Sequence, residues 1–441
     1  MSEMSEMSEI GEIGEIGEVS EVSEANAMNT VNTVNAVNNK NDLRLAERSR
    51  VVIPGGIYGH MAVPGFSGTL PQYMAYGDGC RVTDTDGNTF IDFLCGWGPV
   101  VLGHRHPAVQ RAVDEQLARG DCLNGAPPVM VELAELLVDT VAHADWALLA
   151  KNGTDATTAS VTIARAATGR RKVLMARGSY HGAAPWCTPV TEGVTPEDRA
   201  HLDYFEFNDL ESVRAAAARA GDDLAAVVVC PHRQDVHRDQ ELTDQGFARG
   251  LRELCDRTGA ALILDDVRCG FRLDLAGSWE PLGVRPDLSA WSKAIANGYA
   301  LAAVTGTDAL RDAAKRIYTT GSFWFSAASM AAAVATLTEL RETDALERIA
   351  RAGRRLREGL AAQASAHGFE VIQSGPVQMP LLRFAGDDDF SLTRRWTDEA
   401  GARGVYVHPY HNWFLGASHT DADIDEALER TDGAFAALTR R

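Results

Sequence analysis

An aspartate and a lysine, twenty-eight positions apart, are the first residues in this chain whose types and settings suggest chemistry. The run Ala-Leu-Ile-Leu-Asp265-Asp266-Val puts a carboxylate at the end of an apolar, strand-like stretch. In open α/β sheets the carboxyl ends of the strands form the edge where ligands bind. A carboxylate there either caps the next turn or holds a cationic ring nitrogen, since an adjacent opposite charge favours both ionised forms. Lys293 lies in Leu-Ser-Ala-Trp-Ser-Lys293-Ala-Ile-Ala-Asn-Gly298, where an apolar stretch opens into a loop of small residues. Desolvation lowers the pKa of such an amine and makes it a better nucleophile. Each residue alone reads as ordinary. Paired, they supply the amine and the ring anchor that an imine-forming, electron-withdrawing cofactor needs.

Two further segments add parts of a site. Lys151-Asn-Gly153-Thr154-Asp155-Ala-Thr157 follows an apolar run and opens a helical pattern. Free backbone N–H groups and the positive dipole end at a helix start make an anion site suited to a phosphate. The same residue types are also plain N-caps. Gly178-Ser-Tyr180-His181-Gly182 follows another apolar run. An aromatic ring there can stack on a flat ligand or pack in the core.

These residues need a scaffold, and the pattern along the chain supplies one. Apolar runs at Trp146–Ala150, Lys172–Ala176, 225–230, 261–264 and 301–304 alternate with helical patterns at 155–168, 210–220, 244–257 and 310–317. That alternation predicts βαβ units around a mostly parallel sheet, an α/β fold. Beyond Ser326 the pattern turns helical over 328–342 and 345–366, and the chain closes with a helix over 421–438. The expected organisation is an acidic low-complexity tail over 1–42, one part of a small α+β domain over 43–98, a large domain over 99–325, and the rest of the small domain over 326–441. The tail is a triplet repeat with glutamate closing each of its first eight units. On a helix its apolar positions would drift by about 60° per unit, so a disordered segment is expected.

Composition narrows the class. With 441 residues and 45% hydrophobic content the chain can bury a large core. A formal charge of -19 argues against nucleic acid as a partner. No apolar stretch reaches the length of a membrane helix, and no secretory signal opens the chain, so a cytoplasmic protein is expected. Seven scattered cysteines without a C-x-x-C pair fit reduced thiols. The histidines lack ligand spacing on one helix, and no metal is expected.

In this order the segments resemble the class III aminotransferases of the fold type I pyridoxal-phosphate enzymes, and within them the glutamate-1-semialdehyde aminomutases. The resemblance runs from Pro54-Gly-Gly56 through Cys95-Gly-Trp97-Gly-Pro99, Gly153-Thr-Asp-Ala156, Tyr180-His-Gly182, Leu264-Asp-Asp-Val-x-x-Gly-Phe-Arg272 and Pro286-Asp-Leu-x-x-x-x-Lys293 to His419-Thr-x-x-Asp-Ile424. It implies a large domain with a mostly parallel seven-stranded sheet and a smaller α+β domain built from both chain ends. Pyridoxal 5′-phosphate would be held as a Schiff base by Lys293, with Asp265 on the ring nitrogen and Tyr180, beside His181, on the ring face. Gly153 and Thr154 would bind the phosphate. Ser322 stands where the family has a phosphate-binding threonine given by a second subunit, so a homodimer with shared sites is implied. The implied activity is transfer of an amino group between an amine or amino acid and a carbonyl compound, Lys293 acting first as nucleophile and then as general acid and base.

Departures from the family bear on the substrate. The aminomutases carry an arginine for the substrate carboxylate where this chain has Ala62. Cys230-Pro-His-Arg233 replaces a Glu-Pro segment, leaving Arg233 as a candidate carboxylate ligand. Asp266 replaces a glutamate, and bulky Phe323-Trp-Phe a Gly-Asn-Pro-type segment. Trp97, Tyr58, His60, Trp324, His408 and His411 are candidates for an aromatic, neutral-to-basic substrate pocket. An intramolecular aminomutase is the nearest alternative; a racemase, decarboxylase or lyase on the same scaffold follows, since fold does not fix reaction. Retention of Lys293, Asp265 and Tyr180 argues against a non-catalytic binding protein.

Overall fold

The computed structural model describes residues 39–61 and 70–439. The triplet-repeat tail over 1–38 and Ala62 lie outside the described residues, as does the side chain of His60. The first helix runs Lys40–Val52, so it begins inside the stretch expected to be tail.

Three strands lead, Met74–Asp78 (β1), Arg81–Asp84 (β2) and Thr89–Asp92 (β3). Trp146–Ala150 (β4), Lys172–Ala176 (β5), Leu202–Phe205 (β6) and Leu224–Val229 (β7) follow. After a short ladder of His232–Arg233 (β8) and Glu241–Leu242 (β9) come Ala261–Asp265 (β10), Leu288–Trp291 (β11) and Ala302–Gly306 (β12). Val371–Ser374 (β13), Leu381–Phe384 (β14) and Val405–Tyr406 (β15) complete the set.

Seven of these strands form the central sheet in the order β4-β12-β11-β10-β7-β5-β6. Every pairing is parallel except the two made by β12, which runs against β11 and β4. The fold is therefore α/β with a mostly parallel sheet. Each residue of β7 is fully buried, the continuous apolar reading expected of a strand covered on both faces. β6 escapes a pattern reading because Leu-Asp-Tyr-Phe is short, half-polar and on the sheet's edge. A second sheet, β1-β2-β3-β15, joins the two ends of the chain, with β15 pairing parallel to β3.

The helices between strands follow their caps. Asp209 Oδ accepts from Ser212 N and Asp244 Oδ from Phe247 N, which fixes the starts of helices Leu210–Ala220 and Gln245–Thr258. Such caps contribute about 1 kcal/mol each. Gly169 and Gly259 end two helices in the left-handed region, where glycine carries no Cβ penalty.

This topology does one thing for the chemistry. β4, β5, β7, β10 and β11 run parallel to one another, so the loops after all five emerge at one edge. Asp265 ends β10, Lys293 lies two residues beyond β11, and the two strands are neighbours, with Asp265 opposite Ala290.

Candidate active site

Beyond β11 the chain is held tightly before it reaches Lys293. Trp291 is fully buried, stacks on Phe271 with ring centroids 4.5 Å apart, and donates to Thr305 Oγ1 at 2.8 Å. Lys293 then adopts φ +47°, a left-handed conformation that costs a non-glycine residue about 1 kcal/mol. The turn that enforces it is pinned by Asn297. Its Oδ1 accepts from Val101 N at 2.9 Å and Leu102 N at 2.8 Å, and its Nδ2 donates to Gly103 O at 2.9 Å. Burial presses the Lys293 amine down to about pKa 8, and the guanidinium groups of Arg268 and Arg272 push the same way, against Asp265.

Asp265 is buried and held from two sides. His181 Nδ1 donates to its Oδ2 at 2.7 Å, and Val267 N donates to its Oδ1 at 3.2 Å. Burial alone would favour a neutral His181, but the Cys230 sulfur and the Asp265 carboxylate outweigh it and raise the imidazole to about 10. Cys230 Sγ lies 3.9 Å from His181 Nδ1. Thiol, imidazole and carboxylate thus form one buried trio, with a proton on the His181–Asp265 bond. Asp266 faces elsewhere: it accepts from Ser278 through both the hydroxyl and the amide, and burial raises it to about 7.

The segment after β4 begins helix Gly153–Thr168. Asn152 is its N-cap, with Oδ1 accepting from Asp155 N at 3.0 Å. That bond satisfies the third amide of the helix, while the amides of Gly153 and Thr154 precede any intrahelical acceptor. Two glycines keep the backbone close to its neighbours here. A Cβ on Gly153 would stand 2.7 Å from Val267 Cγ1, and one on Gly182 2.6 Å from Thr154 Oγ1. The Thr154 hydroxyl accepts from Ala183 N at 3.0 Å and keeps its own proton to donate.

These parts line one cavity of about 300 Å³, whose wall includes Asn152, Gly153, Thr154, Tyr180, His181, Gly182, Asp265, Val267 and Lys293. Tyr180 is 48% exposed, so its ring is a face toward the cavity and not a core side chain. The cavity thus holds a desolvated amine, a carboxylate fixed by a charged imidazole, and, under a glycine pair, a helix start with unused amides. This donor set fits pyridoxal phosphate: amides for a phosphate, a carboxylate for a ring nitrogen, and an amine for an aldehyde.

Sequence reasoning did not name six of the wall residues as site residues: Asn152, Gly182, Gln234, Val267, Arg268 and Ser292. A cation three positions past a strand-end carboxylate was the available signal for Arg268. Other candidates fall elsewhere. Arg233 lines a separate cavity, paired with Asp235 at 2.8 Å. Tyr58 is 77% exposed and Ser322 sits in an exposed turn; neither lines the cavity in a single chain. Trp324 packs against the core of the central sheet. Trp97, His408 and His411 do come together, with Trp97 edge-on to His408 at 5.3 Å and to His411 at 5.1 Å. Burial lowers His408 to about 3 and His411 well below the usual histidine value, so both rings are neutral. Asn412 ties this cluster to the cavity by accepting from Arg268 Nη1 at 3.0 Å.

The profile of the family described as Aminotransferase class-III matches residues 67–431. The aminopentol aminotransferase of Sphingopyxis macrogoltabida is 48% identical over 91% of this chain and 94% of its own length. The glutamate-1-semialdehyde 2,1-aminomutase of Desulfatibacillum aliphaticivorans is 32% identical over 88% of this chain and 97% of its own. Among solved structures, the FumI protein of Sphingopyxis sp. MTA144, in its PLP internal aldimine form, superposes with a TM-score of 0.90. It is 47% identical, and the match covers 90% of this chain and 96% of that one.

Proposed function

The chain belongs to the class III aminotransferases, and on that basis we propose that its amino donor is a polyhydroxylated amine of the aminopentol kind. It is a pyridoxal-phosphate-dependent aminotransferase, acting on small molecules. The donor assignment is supported by the relative that carries that name at 48% identity.

The overall reaction exchanges functional groups between two partners: the amine becomes a ketone and the acceptor's carbonyl becomes an amine. Bound pyridoxal phosphate supplies the carbonyl that carries the amino group and the ring that draws electrons from the reacting carbon. In this assignment Lys293 is the nucleophile and then the proton carrier. An amine near pKa 8 is part neutral at neutral pH, so it can take a proton and return it without a large energetic step. Asp265 would hold the ring N–H, and the His181 hydrogen bond orients that carboxylate. Gly153 and Thr154 hold the phosphate through their amides and the Thr154 hydroxyl. Tyr180 covers one face of the ring and shields it from water.

The working unit in this reading is a homodimer, with Ser322 serving the neighbouring subunit's phosphate site. In support, Tyr318, Phe323 and Phe325 are exposed around Ser322, an apolar patch of the sort that marks a protein interface. Residues 99–325 are assigned as the cofactor-binding domain, and 43–98 with 326–441 as the smaller one. A glutamate-semialdehyde aminomutase would lack its carboxylate clamp, because alanine stands at position 62.

The observation that carries the assignment is Asp265 and Lys293 on adjacent strand ends in one cavity. The test is a donor screen on the purified holoenzyme without acceptor, in which amino-polyols discharge the long-wavelength cofactor band and amino acids do so more slowly. Amino acids outpacing every amino-polyol would refute the donor assignment and leave the family untouched.

A further inference from the structure

Three polar residues of the cavity wall, Gln234, Arg268 and Ser292, have no part in holding the cofactor in the assignment above. Ser292 spends its hydroxyl proton on Leu301 O at 2.9 Å. Arg268 Nη1 donates to Gln234 O at 3.1 Å and to Asn412 Oδ1 at 3.0 Å, which fixes the backbone at Gln234. Gln234 itself lies just beyond β8, directly after the Cys230-Pro-His-Arg233 segment that departs from the family.

A chain of neutral side chains runs from the protein interior to the Gln234 carboxamide. Gln240 Nε2 donates to Met379 O at 2.8 Å, which turns its Oε1 toward His232 Nε2 at 3.0 Å. Burial lowers His232 to about 4, so the ring is neutral, with its proton on Nε2 and a lone pair on Nδ1. Cys269 is fully buried, which pushes its thiol well above the ordinary value and keeps it protonated. Its sulfur stands 3.6 Å from His232 Nδ1 and 3.7 Å from Gln234 Oε1. The chain ends there, at the cavity surface. No described residue accepts from Gln234 Nε2. One thiol proton serves two acceptors, so either end of the carboxamide can face the sulfur and the other faces the cavity. A hydroxyl, which both donates and accepts, pairs with either end, whereas an ammonium or a carboxylate pairs with one.

We propose that the Gln234 carboxamide is a specificity determinant for the amino donor, a subsite for a hydroxyl close to the reacting amine. The proposal rests on the amino-polyol reading and names the group in this wall that recognises such a donor. The cavity is only about 300 Å³ and holds the cofactor as well, so its wall meets the first few donor atoms and not a distant part of the molecule. A donor without that hydroxyl leaves the carboxamide unpaired in a water-poor site, which costs more than the bond itself returns.

The experiment compares two donors that differ by one hydroxyl, 3-amino-2-butanol and 2-aminobutane. Holoenzyme of wild type, Gln234→Leu and Gln234→Glu is mixed with each donor without acceptor, and the discharge of the long-wavelength cofactor band is timed. Cofactor affinity and the resting spectrum of each variant show whether the site has stayed intact. Wild type is expected to favour the amino alcohol at least about tenfold. In Gln234→Leu the amino alcohol should lose about 20-fold, the cost of one buried hydroxyl left without its partner. The 2-aminobutane rate should stay within about threefold, so the preference collapses, while Gln234→Glu, which keeps a hydrogen-bonding end, retains part of it. A preference that survives in Gln234→Leu overturns the proposal. Equal losses for both donors overturn it too, because Gln234 would then serve the cofactor or the fold. So does a wild type that treats the two donors alike. Discharge by amino acids ahead of both donors instead sinks the amino-polyol reading, and a band that no amine discharges sinks the aminotransferase reading.

Discussion

Replacing Lys293 with methionine should abolish activity and yet make the cofactor-free protein more stable. In the unfolded chain a lysine keeps its proton up to about pH 10.5, whereas in the fold the amine loses it near 8. Below pH 8 the folded protein therefore holds a charge that its surroundings disfavour, and the penalty is fully present there. It fades as pH rises from 8 to 10.5, where the amine is neutral in both states. A gap of about 2.5 pH units corresponds to about 3 kcal/mol. Methionine has a similar length and no charge, so the variant is expected to gain about that much at pH 7. With an unfolding entropy of roughly 2.1 cal/mol/K per residue over roughly 400 residues, this is a rise in Tm of about 4 °C. The assay is thermal unfolding of both cofactor-free proteins at pH 7, 8, 9 and 10.5. The reasoning is refuted if the variant is no more stable at pH 7, or if its advantage persists undiminished at pH 10.5. The fold would then be seen to carry no cost for its reactive amine, contrary to the usual opposition between stability and activity.

Two further outcomes follow from the cavity. His181 has a folded pKa raised to about 10, so the stability it gives is full below about pH 6.5 and is lost as pH climbs through 10; the stability of the cofactor-free wild type over His181→Asn, from urea unfolding, should shrink across that window by an amount on the order of a few kcal/mol, the Lys293 contribution being common to both. Gly153→Ala pushes a Cβ to 2.7 Å from Val267 Cγ1, so cofactor affinity measured by absorbance titration should weaken at least about tenfold. The double variant with Val267→Ala should regain most of it, and an unchanged affinity in the single variant would mean the helix start is not where the phosphate sits.

How much of this was legible beforehand depended on whether a feature is local or collective. The helices over 210–220, 345–366 and 421–438 are read correctly from their patterns because period and length agree, with capping side chains at Asp209 and Thr420 for two of them. The meeting of Asp265 and Lys293 was legible as well: strand ends in a parallel sheet share an edge, and 28 residues is one crossover. What the sequence hid was the facing of loop residues. Arg268 is three positions past Asp265 and Arg272 seven, yet one lines the cavity and the other is sealed under Phe414. That difference is set by Asn412 and Leu415, some 140 positions away, and no local pattern carries it. Arg233 looked as available as Arg268 but is neutralised by Asp235 two residues on. The aromatic group divides for the same reason, with Trp97, His408 and His411 gathered together outside the cavity wall and Tyr58 left in solvent.

The central claim is that the amine of Lys293, and no other, carries the cofactor. Borohydride reduction of the purified holoenzyme, followed by proteolysis and mass spectrometry, tests it in one step. A single peptide is expected to bear the phosphopyridoxyl mass, with the label on Lys293. A label on Lys151, the other lysine near this sheet edge, or an enzyme whose cofactor washes out unreduced, would contradict it.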